Sequence, residues 1–169
     1  VGVTEAGTFL RGAASSCAAM AILQAEGIGD TIRVSLADTP HREVAVAVEL
    51  LRALGLRPAG AGVIACPTCG RTRIDIVKAA TGIEAGLDDY YRSRPDAPRP
   101  LVAVMGCVVN GPGEARHADI AVCGGTRRGA IYVRGKHSGT VKERDIVGAV
   151  LREVRRFKGG RGRARKKNR

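Results

Sequence analysis

Two hydrophobic rhythms divide the chain. At its start, Val1-Gly2-Val3-Thr4 reads as the end of a strand that leads into a loop at Glu5-Ala6-Gly7. Helical spacing follows from about Gly12 to Glu26, where Ala14, Cys17, Ala18, Ala21, Ile22 and Ala25 recur, and Gly27 and Gly29 stop it. Thr31 to Leu36 reads as a second strand. Asp38-Thr39-Pro40 then breaks into a helix of about Arg42 to Leu54, with Val44, Val48, Leu51 and Leu54 sharing a face. Strand, helix, strand, helix over so short a stretch predicts βα units and a parallel sheet.

The rhythm changes around Arg57-Pro58-Ala59-Gly60, which sets a domain boundary. Gly62 to Ala65 is a predicted strand that delivers the loop Ala65-Cys66-Pro67-Thr68-Cys69-Gly70-Arg71. A helix of about Ile74 to Tyr91 follows, with Ile74, Val77, Ile83 and Leu87 roughly periodic, then a proline-rich linker from Ser93 to Pro100. Leu101 to Met105 reads as a short buried strand ending in a second loop, Gly106-Cys107-Val108-Val109-Asn110-Gly111-Pro112-Gly113-Glu114-Ala115. Asp119 to Cys123 and Ala130 to Val133 are further predicted strands, and Gly135 to Gly139 a turn. The last element is an amphipathic helix of about Lys142 to Phe157, with Ile146, Val147, Val150, Leu151 and Val154 inward. There is no internal repeat.

Composition narrows the picture. At 169 residues and 44% hydrophobic content the chain can bury a core, and with aromatics at 3% that core is built from Ala, Val, Ile and Leu. No run approaches the roughly 18 apolar residues of a membrane span, and no signal peptide is visible, so the expected location is cytoplasmic. The chain opens on Val1 in mid-pattern, as the C-terminal portion of something longer would. The net charge of +12 is concentrated at the end: nine of the 28 Lys and Arg lie from Arg155 onward, leaving 19 against 16 acids elsewhere. Residues 158–169 therefore read as a disordered basic tail; with Phe157 as its only neighbouring aromatic, no specific nucleic-acid recognition is expected.

Five cysteines without an export signal argue against a disulfide framework. Cys17 lies among alanines and Cys123 ends an apolar strand, so both read as structural. Cys66, Cys69 and Cys107 sit on Gly/Pro loops. A Cys-x-x-Cys turn lets two thiolates converge on one centre, and Cys107 can supply a third; three thiolates suit zinc or an iron–sulfur cluster, and a redox dithiol shares the Cys-x-x-Cys signature. A cube held by three cysteines leaves one iron for an exchangeable ligand. Glu114, seven residues after Cys107, is the candidate, or else a solvated loop carboxylate. His117 and His137 read as structural or solvated.

Four motifs in order carry a resemblance: Val3-Thr4-Glu5-Ala6-Gly7, Glu26 through Leu36, Ala65 through Arg71, and Gly106 through Ala115. From residue 1 to about residue 155 the chain resembles the C-terminal part of the 4-hydroxy-3-methylbut-2-enyl diphosphate synthase family, the penultimate enzymes of the non-mevalonate isoprenoid pathway. The resemblance implies an α/β fold: residues 1–58 as the last two βα units of a TIM-like barrel, residues 59–157 as an α+β iron–sulfur cluster domain. It implies reductive ring opening of 2-C-methyl-D-erythritol 2,4-cyclodiphosphate with loss of water, driven by two electrons from ferredoxin or flavodoxin. Cys66, Cys69 and Cys107 would hold a 4Fe-4S cluster, with Glu114 on the fourth iron. Glu5 would donate a proton, Thr4, Arg33 and Ser35 would contact the diphosphate, and Asn110 would lie near cluster and substrate. A homodimer is implied, with the cluster domain of one subunit over the barrel of its partner. Since only about two of the family's eight βα units are present, the chain alone is expected to be inactive and poorly folded upstream of Gly60.

Overall fold

The computed structural model of the protein describes residues 1–57, 62–109 and 111–159, with Pro112 and Glu114 described by their backbone only. The chain divides into two compact units, Val1–Ala59 and Gly60–Arg169.

In the first unit, helix α1 spans Phe9–Ala25 and α2 spans Pro40–Ala53. Both end where a glycine takes up the left-handed conformation that other residues resist, Gly27 at φ 75° and Gly55 at φ 74°. The N–H of Ile28 reaches back to Leu23 and that of Leu56 to Leu51, each at 2.9 Å, which satisfies carbonyls the helix would leave orphaned. Helix α1 buries Gly12, Ser16 and Met20, one residue per turn. A Cβ on Gly12 would lie 2.5 Å from Leu36 Cδ2, so the missing side chain sets how closely the helix approaches that segment. Met20, Val34, Val46 and Leu50 form the core of the unit.

Two sequence expectations change here. On α2 the buried face is Val46 and Leu50 rather than Val44 and Val48; Val44 is exposed. Thr31 to Leu36 does not form a strand. It makes one parallel bridge, Gly2 with Arg33, flanked by hydrogen bonds from Val1 to Thr31 and from Arg33 to Val1. A single short parallel partner provides too few ladder bonds to extend the pairing.

The second unit is built on one five-stranded sheet in the order β1 (Val63–Ala65), β2 (Val102–Met105), β3 (Ile120–Gly125), β4 (Arg128–Val133), β5 (Lys136–Lys142). The pairs β1–β2 and β2–β3 are parallel; β3–β4 and β4–β5 are antiparallel. Helix α3 (Ile76–Ser93) carries the chain from β1 to β2. Helix α5 (Ile146–Arg156) closes the unit after a 3-10 turn at Glu143–Asp145. The α3 helix starts two residues later than its periodicity suggests because Asp75 caps it, its carboxylate accepting the Lys78 N–H at 2.9 Å. Its buried stripe is Ile76, Ala79, Ile83, Leu87 and Tyr91, whereas Val77 faces solvent. Together with Val102, Val104, Ile120, Val122, Ile131 and the inward face of α5, this stripe makes the main core. Helices α3 and α5 approach closely through Gly82 and Gly86, whose hydrogens stand where a Cβ would meet Val147 and Leu151.

The expected turn at Gly135 to Gly139 is shorter. Arg134 and Gly135, at φ 50° and 75°, form a tight two-residue hairpin turn, and Lys136 onward is strand.

The opposite sheet face is lined by small side chains. Ala103, Met105, Ala121 and Cys123 are buried there together with Ala115 and Ala118. Those last two belong to the connection from β2 to β3, which winds into a helical turn α4 (Gly111–Glu114) and a 3-10 turn (Ala115–His117) rather than an open loop. Parallel neighbours need a crossover, and here the second cysteine loop serves as one, lying over its own strands.

Gly124 on β3 allows a close backbone approach: a Cβ there would stand 2.6 Å from the Gly106 carbonyl oxygen and 2.7 Å from Ile74 Cγ1. Because the first of these is backbone, Gly124→Ala is expected to cost about 2 kcal/mol, lowering the melting midpoint of the unit by roughly 10 °C. Thermal unfolding followed by circular dichroism checks this.

Candidate thiol site and its relatives

The register places both cysteine loops at one end of the sheet. Ala65 pairs with Val104 in the parallel β1–β2 ladder, so Cys66 and Cys107 follow the C-terminal ends of neighbouring strands. The Cys66 N–H extends that ladder to the Val104 carbonyl at 3.1 Å. The Cys66 sulfur in turn accepts the Gly106 N–H at 3.1 Å, across 40 positions of sequence. The Gly106 carbonyl accepts the Arg73 N–H at 2.8 Å. A residue with no side chain thus joins the first loop, the second loop and the start of Cys107. A Cβ on Gly106 would meet Ile76 at 2.5 Å and the Thr72 hydroxyl at 3.1 Å.

Cys69 is exposed, and Cys66 and Cys107 are half-buried. Cys69 heads a turn: Thr72 N–H donates to its carbonyl at 3.0 Å, and its own N–H donates to Thr72 Oγ1 at 3.1 Å. The Arg71 backbone N–H, followed by the Thr72 hydroxyl, holds the Cys69 thiol below the ordinary thiol range, favouring the thiolate form that binds metals. Cys123, fully buried on β3 opposite Met105, lies under the second loop. Its sulfur would stand 2.8 Å from a Cβ on Gly111. The structural reading of Cys123 is in keeping with that place. Cys17 packs half-buried against the core of the first unit.

The chemistry of the donor set suits a soft metal centre: three cysteines at neighbouring strand ends, with N–H groups directed at two of the sulfurs. Among the described residues, however, no three of the His, Cys, Asp and Glu side chains stand close enough together to hold a metal ion. Thiols do not attract one another, so convergence on a common point depends on bonding to the metal itself. Asn110 and the Glu114 side chain lie outside the described residues. His117 and His137 are exposed, the latter 3.2 Å from the Thr140 hydroxyl.

In the first unit, the segments bearing Thr4, Glu5, Arg33 and Ser35 are tied together at two levels, by the Gly2–Arg33 bridge and by the Ala37 N–H to the Gly7 carbonyl at 2.9 Å. Thr4, Glu5 and Arg33 are exposed and Ser35 is half-buried. With only one bridge present, no ladder enforces the alternation that would turn Arg33 and Ser35 to the same side. Glu5 has φ 55°, a left-handed conformation that costs a residue with a Cβ about 1–2 kcal/mol. Strain of this kind concentrates at functional positions. Sequence reasoning missed Thr72 and Gly106. Thr72 carries a signal after the fact, a hydroxyl three residues beyond Cys69; Gly106 carries none, because its partners are remote in sequence.

These features define a class: an α/β protein with a mixed sheet and a thiol-bearing loop at the end of each of two neighbouring parallel strands, preceded by a unit of βα type. Residues 62–156 match the GcpE protein C-terminal domain, and residues 1–48 match the GcpE TIM-barrel domain. The chain belongs to the GcpE family. It is 50% identical over 158 residues to a protein of Acidothermus cellulolyticus named 4-hydroxy-3-methylbut-2-en-1-yl diphosphate synthase (flavodoxin), a match covering 93% of this chain and 39% of the relative. Proteins of the same name from Tropheryma whipplei, strain Twist, and Caldanaerobacter subterraneus are 48% and 49% identical, covering 94% and 93% of this chain and 40% and 42% of theirs. The chain thus spans about two fifths of the length of the curated relatives it matches.

If Glu5 is held against its preference, Glu5→Gly relieves the strain. The expected result is a first unit whose unfolding free energy is unchanged or raised by up to about 1 kcal/mol, measured by urea denaturation, despite the added chain entropy of glycine.

Proposed function

We propose that this chain forms the cluster-binding part, and a portion of the barrel, of a 4-hydroxy-3-methylbut-2-enyl diphosphate synthase acting in isoprenoid biosynthesis. The whole enzyme would convert 2-C-methyl-D-erythritol 2,4-cyclodiphosphate to 4-hydroxy-3-methylbut-2-enyl diphosphate, taking up two electrons and two protons and releasing water. The observation that carries this reading is the N–H to sulfur bond from Gly106 to Cys66, which fastens the Cys107 loop to the Cys-x-x-Cys loop.

Cys66, Cys69 and Cys107 would hold a 4Fe-4S cluster, with Glu114 as the weaker fourth ligand. When bound, the cluster would supply electrons and a Lewis-acidic iron at the C–O bond to be broken. The N–H groups at the Cys66 and Cys69 sulfurs would offset the negative charge of the thiolates. Glu5, exposed and held in a strained turn, would deliver a proton to the departing hydroxyl, which leaves as water. The Arg33 guanidinium and the hydroxyls of Thr4 and Ser35 would bind diphosphate oxygens, and Asn110 would orient the substrate. The relatives' printed name favours flavodoxin over ferredoxin as electron donor. A homodimer in the cytoplasm completes the proposal; no helix among the described residues is long and apolar enough to cross a membrane. We place the barrel portion at residues 1–58, the cluster domain at 59–157 and a basic tail at 158–169, of which everything beyond Gly159 lies outside the described residues.

Anaerobic reconstitution of the chain with iron and sulfide is expected to give a brown protein with broad absorption near ~400 nm and about four irons per chain. Bound zinc and no colour would replace the cluster with a zinc site. In the complete enzyme, Glu114→Ala is expected to leave most of the cluster in place but labile and to lower turnover by about tenfold or more. Turnover unaffected by that change would make Glu114 an ordinary loop residue.

A further inference from the structure

We propose that Thr72 is the positioning residue for the cluster-facing Cys69, its hydroxyl setting both the place of that sulfur and the ease with which a cluster bound there is reduced. The proposal rests on the cluster reading above and goes beyond it by naming a residue that is not itself a ligand. Thr72 grips Cys69 at three atoms. Its N–H donates to the Cys69 carbonyl at 3.0 Å, its oxygen accepts the Cys69 N–H at 3.1 Å, and its hydroxyl donates to Cys69 Sγ at an oxygen-to-sulfur distance of 3.9 Å. One hydroxyl fills both side-chain roles because its oxygen lone pairs accept while its single hydrogen remains to be given. With the backbone N–H already taking the acceptor side, the sulfur is the partner left for that hydrogen.

The same oxygen would stand 3.1 Å from a Cβ on Gly106, the residue that bonds Cys66 and precedes Cys107. Thr72 therefore lies where all three cysteine-bearing segments meet, on the half-buried side of an otherwise exposed turn. The three ligand positions are not equivalent. Cys66 takes its hydrogen bond from a backbone N–H that no substitution short of proline removes, whereas Cys69 takes one from the Arg71 backbone N–H and a second from the Thr72 side chain, which substitution can remove. An added electron places more negative charge on the ligand sulfurs, so a donor aimed at one of them favours the reduced cluster and raises its potential. Valine keeps the shape of threonine and loses both hydroxyl roles; serine keeps the roles and loses a methyl group.

The test uses the full 169-residue chain, reconstituted anaerobically with iron and sulfide, and reads the midpoint potential by dye-mediated titration and the rate of iron loss to a chelator. Thr72→Val is expected to shift the potential to more negative values and speed iron loss about tenfold. Thr72→Ser is expected to return both close to the unaltered chain. Should Thr72→Val not fold, Thr72→Ala is expected to show the same negative shift. A potential unmoved in the hydroxyl-free variants, whatever their melting temperature, would make Thr72 a structural residue only and overturn the proposal while leaving the cluster reading intact. Thr72→Ser as impaired as Thr72→Val would overturn it as well, since the methyl group would then be the cause. An unaltered chain that takes up no iron would overturn the cluster reading, and this proposal with it.

Discussion

The hydrogen bond from Gly106 N–H to the Cys66 sulfur, with the Gly106 carbonyl held by Arg73, is the constraint on which the second unit turns. It joins two loops that neighbouring parallel strands project from the same end of the sheet. It works because nothing projects from Gly106: Ile76 and the Thr72 hydroxyl stand in the space a side chain would need. A glycine in this place is a packing requirement more than a conformational one, since its φ is not among the positive values of the chain.

The rest of the unit supports that junction from both faces. On one face the α3 and α5 helices press Ile83, Leu87, Val150 and Val154 against the branched side chains of β2 and β3. On the other, Ala103, Ala121 and Cys123 leave so shallow a surface that the β2-to-β3 crossover can lie directly on it, Gly111 against the Cys123 sulfur. The rigid sheet fixes where each loop begins, and the crossover keeps the second loop short. Loops that start from a rigid sheet and stay short have little freedom in where they place their thiols.

The first unit follows another principle. Its two extended segments share one bridge, and its helices leave Leu10, Ile22 and Val44 exposed. Within that frame the strained turn at Glu5 stands beside the segment that carries Arg33 and Ser35, held there by the Gly7–Ala37 hydrogen bond.

Much of the protein was legible in the residues alone because the signals are local. Cys-x-x-Cys with its flanking Pro67 and Gly70, the glycines and Pro112 after Cys107, the glycine that ends α1, and the apolar stripe of α5 each depend on neighbours within a few positions. Helical periodicity located α1, α3 and α5, but it misassigned the buried faces of α1, where Ala14, Ala18 and Ile22 are exposed, and of α2, and it grouped Val77 with the buried stripe of α3, since a moderately apolar helix offers more than one plausible stripe. The extended segment around Arg33 looked like a strand by composition, yet strand formation is decided by available partners, and one bridge is what it finds. The chain by itself determined which residue types would carry the chemistry and that they would stand on loops after strands. That the two cysteine loops come together was expected from the residues; only the tertiary structure decided that Gly106 and Thr72 join them and that Cys123 underlies the crossover. These are close approaches between segments tens of residues apart, created by the sheet register, and no periodicity or spacing in the chain encodes them.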